Sequence, residues 1–191
     1  MIIGITGGTG CGKTTALQVI SDLGGLVIDC DRVYHDLLRK DNALLAAIEE
    51  RFPGTVEQGV LNRQTLAAIV FSDEKALSDL NRITHKAVKA EVLRLLKTAP
   101  ALVAIDAIGL FEGQLSELCD TTIAITAPEE VRIARLTRRD AITEQQALSR
   151  IKAQKSQEWF VNQCAHHLHN DGTQEEFYEK CMTLCKKIIL K

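Results

Sequence analysis

The sequence predicts an α/β fold, a parallel five-stranded sheet flanked by helices, and two observations carry that expectation. Five short apolar runs, Ile2 to Thr6, Leu26 to Asp29, Ala101 to Asp106, Thr121 to Thr126 and a weaker one at His166 to His169, are separated by stretches of helical periodicity. The first run leads directly into Gly7-Gly8-Thr9-Gly10-Cys11-Gly12-Lys13-Thr14, a G-x-x-x-x-G-K-[ST] loop. That motif needs a strand before it and a helix after it, and Leu17, Ile20 and Leu23 supply one apolar helical face. In such sheets ligands bind beyond the carboxyl ends of the strands, so those ends are where chemistry is sought.

Between the second and third runs, residues 31–100 read as helices rather than a further strand. Leu44, Leu45, Ile48 and Phe52 mark one helix, and Leu66, Ile69 and Val70 another. A long helix starting near Ser72 carries Leu77, Leu80, Ile83, Ala87, Val88, Val92 and Leu95. This insertion either holds a second substrate or serves as a structural cap. After the fourth run, Pro128 with Glu129 and Glu130 opens a helix that bears Arg132 and Arg135 and breaks at Arg138-Arg139-Asp140. Thr143-Glu144-Gln145-Gln146 is a capping box that starts the next helix, so the pair forms a candidate lid. Thr173-Gln174-Glu175-Glu176 is a second capping box, opening a final helix with a core stripe of Phe177, Cys181, Leu184, Cys185 and Ile188. The expected organisation is a single domain over 1–191, with a core of 1–31, 98–136 and 158–191, a helical insertion of about 32–97 and a lid of about 137–157.

A chain of 191 residues with 46% apolar and 25% charged content buries enough surface, roughly 70% of the unfolded total, to need no staple. A net charge of −2 sets up no general field for nucleic acid, so no nucleic-acid partner is expected and any basic site is local. No apolar run approaches the ~20 residues of a membrane span. The six cysteines lack C-x-x-C pairs and the chain begins on a strand, which favours a reducing cytoplasm.

The loop dictates its chemistry. Its glycines let successive backbone N–H groups converge on one point, and the following helix dipole adds positive potential there. Gly8, Thr9, Gly10, Cys11, Gly12, Lys13, Thr14 and Thr15 are therefore the expected contacts of a nucleoside triphosphate. Lys13 faces the β and γ phosphates and the Thr14 hydroxyl is a hard ligand for Mg²⁺. Cys11 is either a reactive thiol, activated by the helix N-terminus, or simply a small side chain.

Asp29 and Asp31 end the second run two residues apart, and in extended geometry their side chains project the same way. Asp31 is the candidate general base for an alcohol acceptor, or else caps the next helix; Asp29 either backs the contact residues without touching the substrate or supports metal-bound water. Asp106 ends the third run and is a further candidate to reach metal water. It also opens the D-x-x-G of a GTPase switch, but no N-K-x-D tetrad follows Thr121 to Thr126. Arg132, Arg135, Arg138 and Arg139 form the densest basic cluster, either a solvated helix face or charges that fold over the migrating phosphate. Cys164, His166, His167 and His169 invite a zinc reading, yet strand alternation sends His166 away from His167 and His169, and no second ligand pair follows.

Taken together these segments resemble the dephospho-CoA kinase family from end to end. The resemblance rests on Thr6 to Thr15, on Leu26-Val27-Ile28-Asp29-Cys30-Asp31, on Leu61-Asn62-Arg63 through Ile69-Val70-Phe71-Ser72-Asp73, and on Leu80-Asn81-Arg82-Ile83-Thr84-His85. Leu110-Phe111-Glu112, Arg138-Arg139-Asp140, Arg150-Ile151 with Gln154, and Asn170-Asp171-Gly172 continue it in order. It implies a P-loop nucleotide-kinase-like fold and ATP-dependent phosphorylation of the ribose 3′-hydroxyl of dephospho-coenzyme A, with Mg²⁺. By the same resemblance Asp31 is the base, Lys13 the phosphate clamp and Arg139 a lid residue. Arg135 and Asn170 belong to the nucleotide side, and His85 and Asp106 to the acceptor side. The chain departs from the family pattern at Lys86 and at Ile108-Gly109, where the family carries prolines. Loss of a fixed backbone angle there would reshape the acceptor pocket, toward another nucleotide-like acceptor or toward binding with little catalysis.

Overall fold

A computed structural model describes residues 1–190. The chain runs β1 (Ile2–Thr6), α1 (Lys13–Asp22), β2 (Leu26–Asp29), α2 (Cys30–Lys40), α3 (Asn42–Arg51), β3 (Val56–Glu57), β4 (Val60–Leu61), α4 (Arg63–Val70) and α5 (Glu74–Leu96). It continues with β5 (Val103–Asp106), a 3₁₀ turn at Ser116–Leu118, β6 (Thr121–Thr126), α6 (Glu129–Asp140), α7 (Glu144–Lys152), α8 (Gln157–Gln163), β7 (His166–His169) and α9 (Gln174–Ile189). Contacts divide it into two compact units, 1–28 with 99–111 and 115–190, and 29–98 with 112–114. No helix among the described residues is long and apolar enough to cross a membrane.

In the first unit the sheet has the order β2-β5-β1-β6-β7, and β1 pairs parallel with both β5 and β6. The five apolar runs are its five strands. The central β1 buries Ile3 and Ile5 completely and draws Val19 and Ile20 of α1 and Phe177, Cys181, Cys185 and Ile188 of α9 into one core. A strand covered by helices on its faces reads as a continuous apolar run, which is why β1, β5 and β6 were so legible. Both expected capping boxes form, Thr143 with Gln146 and Thr173 with Glu176.

The second unit is helical around Leu38, Leu44, Leu45, Ile48, Phe52, Leu66, Val70 and Ala76. It also holds the β3-β4 hairpin, which corrects the expectation that 31–100 contains no strand. Strands of two residues are too short to show an alternation. Glu49 ties the approach to the hairpin to α3, accepting from the N–H groups of Gly54, Thr55 and Val56. The long helix begins at Glu74, capped by Asp73, and runs 23 residues without a break. Lys86 lies inside it, so the residue that stands where the family pattern has a proline supplies an ordinary helical N–H and the helix continues through it rather than loosening.

Candidate active site

The loop between β1 and α1 is held from behind. Arg132 Nε donates to Thr9 O at 2.9 Å, Arg135 Nη1 to Gly10 O at 3.2 Å and Cys11 O at 3.3 Å, and Asn170 Nδ2 to Cys11 O at 2.9 Å. A trans peptide points its N–H opposite to its C=O. Drawing these three carbonyls to one side therefore turns the N–H groups of Gly10 and Gly12 to the other, while that of Cys11 returns to Gly8 O at 3.3 Å. Lys13 and Thr14 open α1, so their N–H groups have no intrahelical partner and join the same outward set. Gly12 sits at φ +98°, and a Cβ there would overlap the Asn170 amide nitrogen. Only glycine brings the chain past Asn170.

The same residues give the loop its charge. Arg132 is 4% exposed, with one guanidinium nitrogen, Nη2, lacking a partner and no carboxylate among its described ion pairs. Arg135 is steadied by Asn170 Oδ1 at 3.1 Å, and Lys13 Nζ rests on Gly7 O at 2.9 Å. Burial pushes the Cys11 thiol above its ordinary pKa, against the pull of Arg132, Lys13, the Ala127 backbone and Arg135. That balance corrects the reactive-thiol alternative, because Cys11 is fully buried and desolvation outweighs the neighbouring cations and the Ala127 backbone. Three cations around converging N–H donors suit a polyphosphate anion, and Thr14, exposed on the first turn of α1, suits a metal ion bound to it.

Arg132 and Arg135 are thus neither a solvated face nor charges closing from above; they grip the loop's backbone. Arg139 is exposed in the last turn of α6 and pairs with Asp140, Nε to Oδ1 at 2.7 Å. Arg150 of α7 reaches the other Asp140 oxygen at 2.7 Å. These hydrogen bonds, Arg139's the larger, hold the Asp140 carboxyl below the usual range. The helix breaks one residue later than expected, at Ala141 with φ +52°.

Asp106 closes β5, one register step from the loop-bearing end of β1, where Ile5 is its partner. Asp29 caps α2 by accepting from Arg32 N at 3.0 Å, which corrects the alternative that Asp31 is the cap. Since α2 starts at Cys30, the two aspartates do not share an extended segment; Asp31 is exposed in the helix's first turn. His85 lines a cavity of about 1110 Å³ within the second unit. Leu44 and Leu77 are among its apolar lining residues, and Asn81, Arg82, Lys86 and Gln114 among its polar ones. Asn170, expected beside the nucleotide, commits both side-chain polar atoms to the loop carbonyl and Arg135.

The histidines behave as strand alternation requires. His167 Nε2 and His169 Nδ1 meet Thr126 Oγ1 at 2.7 and 2.8 Å. Two glutamines that composition and spacing did not single out also touch the loop region. Gln154 Oε1 accepts from Thr9 N at 2.8 Å, and Gln157 Oε1 from Ala127 N at 2.8 Å. Gln154 carried a signal only as part of the family resemblance; Gln157 carried none.

A family model described as dephospho-CoA kinase matches residues 1–176. A dephospho-CoA kinase of Syntrophotalea carbinolica is 33% identical, covering 99% of this chain and 92% of that protein. One from Lactobacillus acidophilus is 34% identical over 98% and 96% respectively. Among solved structures, TT1252 from Thermus thermophilus superimposes with a TM-score of 0.81 at 29% identity, covering 98% of this chain and 97% of that one.

Proposed function

Because this chain belongs to the dephospho-CoA kinase family, we propose that it moves the terminal phosphoryl group of ATP to the ribose 3′-hydroxyl of dephospho-coenzyme A, giving ADP and coenzyme A. The observation that carries the reading is the loop turned inside out by Arg132, Arg135 and Asn170, which leaves N–H donors and a surplus of positive charge for a triphosphate.

In this reading the β and γ phosphates lie on the N–H groups of Gly10, Gly12, Lys13 and Thr14, with Lys13 as the mobile charge. Thr14 would hold Mg²⁺, which neutralises charge on the phosphate oxygens when bound. Asp31 orients the acceptor hydroxyl and takes its proton as the 3′-oxygen bonds to the γ phosphorus and the bond to the bridging oxygen of ADP breaks. Arg139 exchanges Asp140 for the migrating group. Asp106 belongs to the acceptor side, and the cavity beside His85, with its mixed apolar and polar lining, takes part of the acceptor. The organisation proposed is a nucleotide core of 1–31, 98–136 and 158–190, an acceptor unit of about 32–97 and a lid of about 137–157, although 29–31 and 112–114 pack with the second unit. All six cysteines are outside disulfides, which suits a reducing cytoplasm.

The test is mass detection of coenzyme A formed from dephospho-coenzyme A and Mg-ATP, alongside ADP release with and without the acceptor. Acceptor-stimulated release with a product heavier by one phosphoryl group is expected. Tight ATP binding with no stimulation would end the proposal.

A further inference from the structure

Thr9 is gripped on both of its backbone polar groups by the two ends of the α6-α7 hairpin. Arg132, on the helix entering the hairpin, takes its carbonyl at 2.9 Å; Gln154, in the bend leaving it, takes its N–H at 2.8 Å. The two side chains flank Gly8 closely. A Cβ on that residue would stand 2.5 Å from Arg132 Nη2 and 3.2 Å from Gln154 Oε1, so the hairpin's roots press on the loop where no side chain intervenes. Between the roots, α6 and α7 pack through Leu136, Ala147 and Ile151, and the tip is tied by Arg139, Asp140 and Arg150. A hairpin stitched in this way is fastened to the loop at both roots, by Arg132 and Arg135 on α6 and, beyond α7, by Gln154.

From this geometry we propose that Gln154 is a positioning residue for phosphoryl transfer: its side-chain oxygen, through the Thr9 amide, fixes the hairpin that carries Arg139 in register with the phosphate loop. The proposal rests on the kinase reading above. The amide Gln154 engages precedes those of Gly10, Gly12, Lys13 and Thr14, which stay turned outward by other side chains. Losing Gln154's contact therefore alters the placement of the hairpin rather than the grip on ATP, and the effect falls on turnover.

Two variants separate acceptor chemistry from shape. Gln154→Met keeps length and bulk but cannot accept strongly from Thr9 N–H, whereas Gln154→Glu keeps an accepting oxygen beside the unpartnered Arg132 Nη2. The methionine variant is expected to lose about tenfold in kcat with KM for ATP within about twofold, and the glutamate variant to keep at least about half of wild-type kcat. Limited trypsin digestion reads the same coupling without any acceptor. Cleavage at the exposed Arg138 and Arg139 should be several-fold faster in Gln154→Met than in wild type or Gln154→Glu. Wild-type kcat in the methionine variant overturns the proposal, as does a glutamate variant as impaired as the methionine one. Parallel losses in kcat, ATP affinity and melting temperature overturn it too, because they describe a merely structural role. A wild-type protein that fails to phosphorylate dephospho-coenzyme A sinks the kinase reading instead, and the trypsin comparison then still decides whether Gln154 pins the hairpin.

Discussion

Asn170 lies 159 residues along the chain from Cys11, yet its amide supplies the shortest of the hydrogen bonds that turn the Cys11 peptide, 2.9 Å, and steadies Arg135 at 3.1 Å. Asn170→Ala deletes both while leaving the backbone bond from Asn170 N to Thr126 O, 2.8 Å, that ends β7. Asn170 is buried, at 3% exposure, so the Cys11 carbonyl is left with only the longer bond from Arg135 Nη1, 3.3 Å, and Arg135 Nη2 loses a partner that water replaces poorly. A buried group left unsatisfied costs about 1–3 kcal/mol. The loop escapes part of that by rotating the Cys11-Gly12 peptide, which points the Gly12 N–H away from the phosphates. ATP must then reverse the rotation on binding. With about 1.4 kcal/mol transferred to binding, Kd for ATP rises about tenfold. Calorimetric titration of Mg-ATP, paired with thermal melts of the unliganded protein, reads binding and stability separately. An ATP affinity within about twofold of wild type, whatever the melts show, would refute the idea that Asn170 orients the loop's donors.

Other expected outcomes rest on different parts of the molecule. Asp31→Asn removes the proposed proton acceptor but none of the loop, so ATP affinity should stay within about twofold while product formation falls at least about a hundredfold; near-normal turnover would reassign the base. Cys11, Cys181 and Cys185 are fully buried, and burial pushes the last two to about 12 and about 11, so Ellman's reagent should leave all three unreacted in the native protein and titrate them only on unfolding. Burial, and then the charge of His169, holds the His167 pKa below 6.5 in the folded state. Its neutral form therefore contributes stability that is complete above 6.5 and is lost as pH falls through the lower folded value. Melting temperatures of wild type and His167→Gln, followed from about pH 8 to about pH 5, should converge on the acid side, and parallel curves would count against this coupling.

What the sequence made legible was whatever has a short-range cause. Strands covered on both faces, a phosphate loop with fixed spacing, and two capping boxes each state their structure within a few residues. The β3-β4 hairpin escaped because its strands are too short for any period, and the cap of α2 stayed open because Asp29 and Asp31 are chemically equal until the helix's first residue is known. Arg132 is the instructive case. Within α6 the buried positions are Arg132 and Leu136, one helical turn apart, so the arginine stands in the phase of an apolar residue. A cation at a core position must spend its protons on something, and since Glu129 is exposed and Asp140, two turns on, is taken by Arg139 and Arg150, the acceptors are backbone carbonyls brought in from elsewhere in the chain. Periodicity thus contained the burial of Arg132 but not its partner. The partner, Thr9, is 123 residues away, and only the parallel crossover of the sheet brings α6 behind the loop. That is why the charges which first suggested a lid over the phosphate act instead on the backbone that receives it.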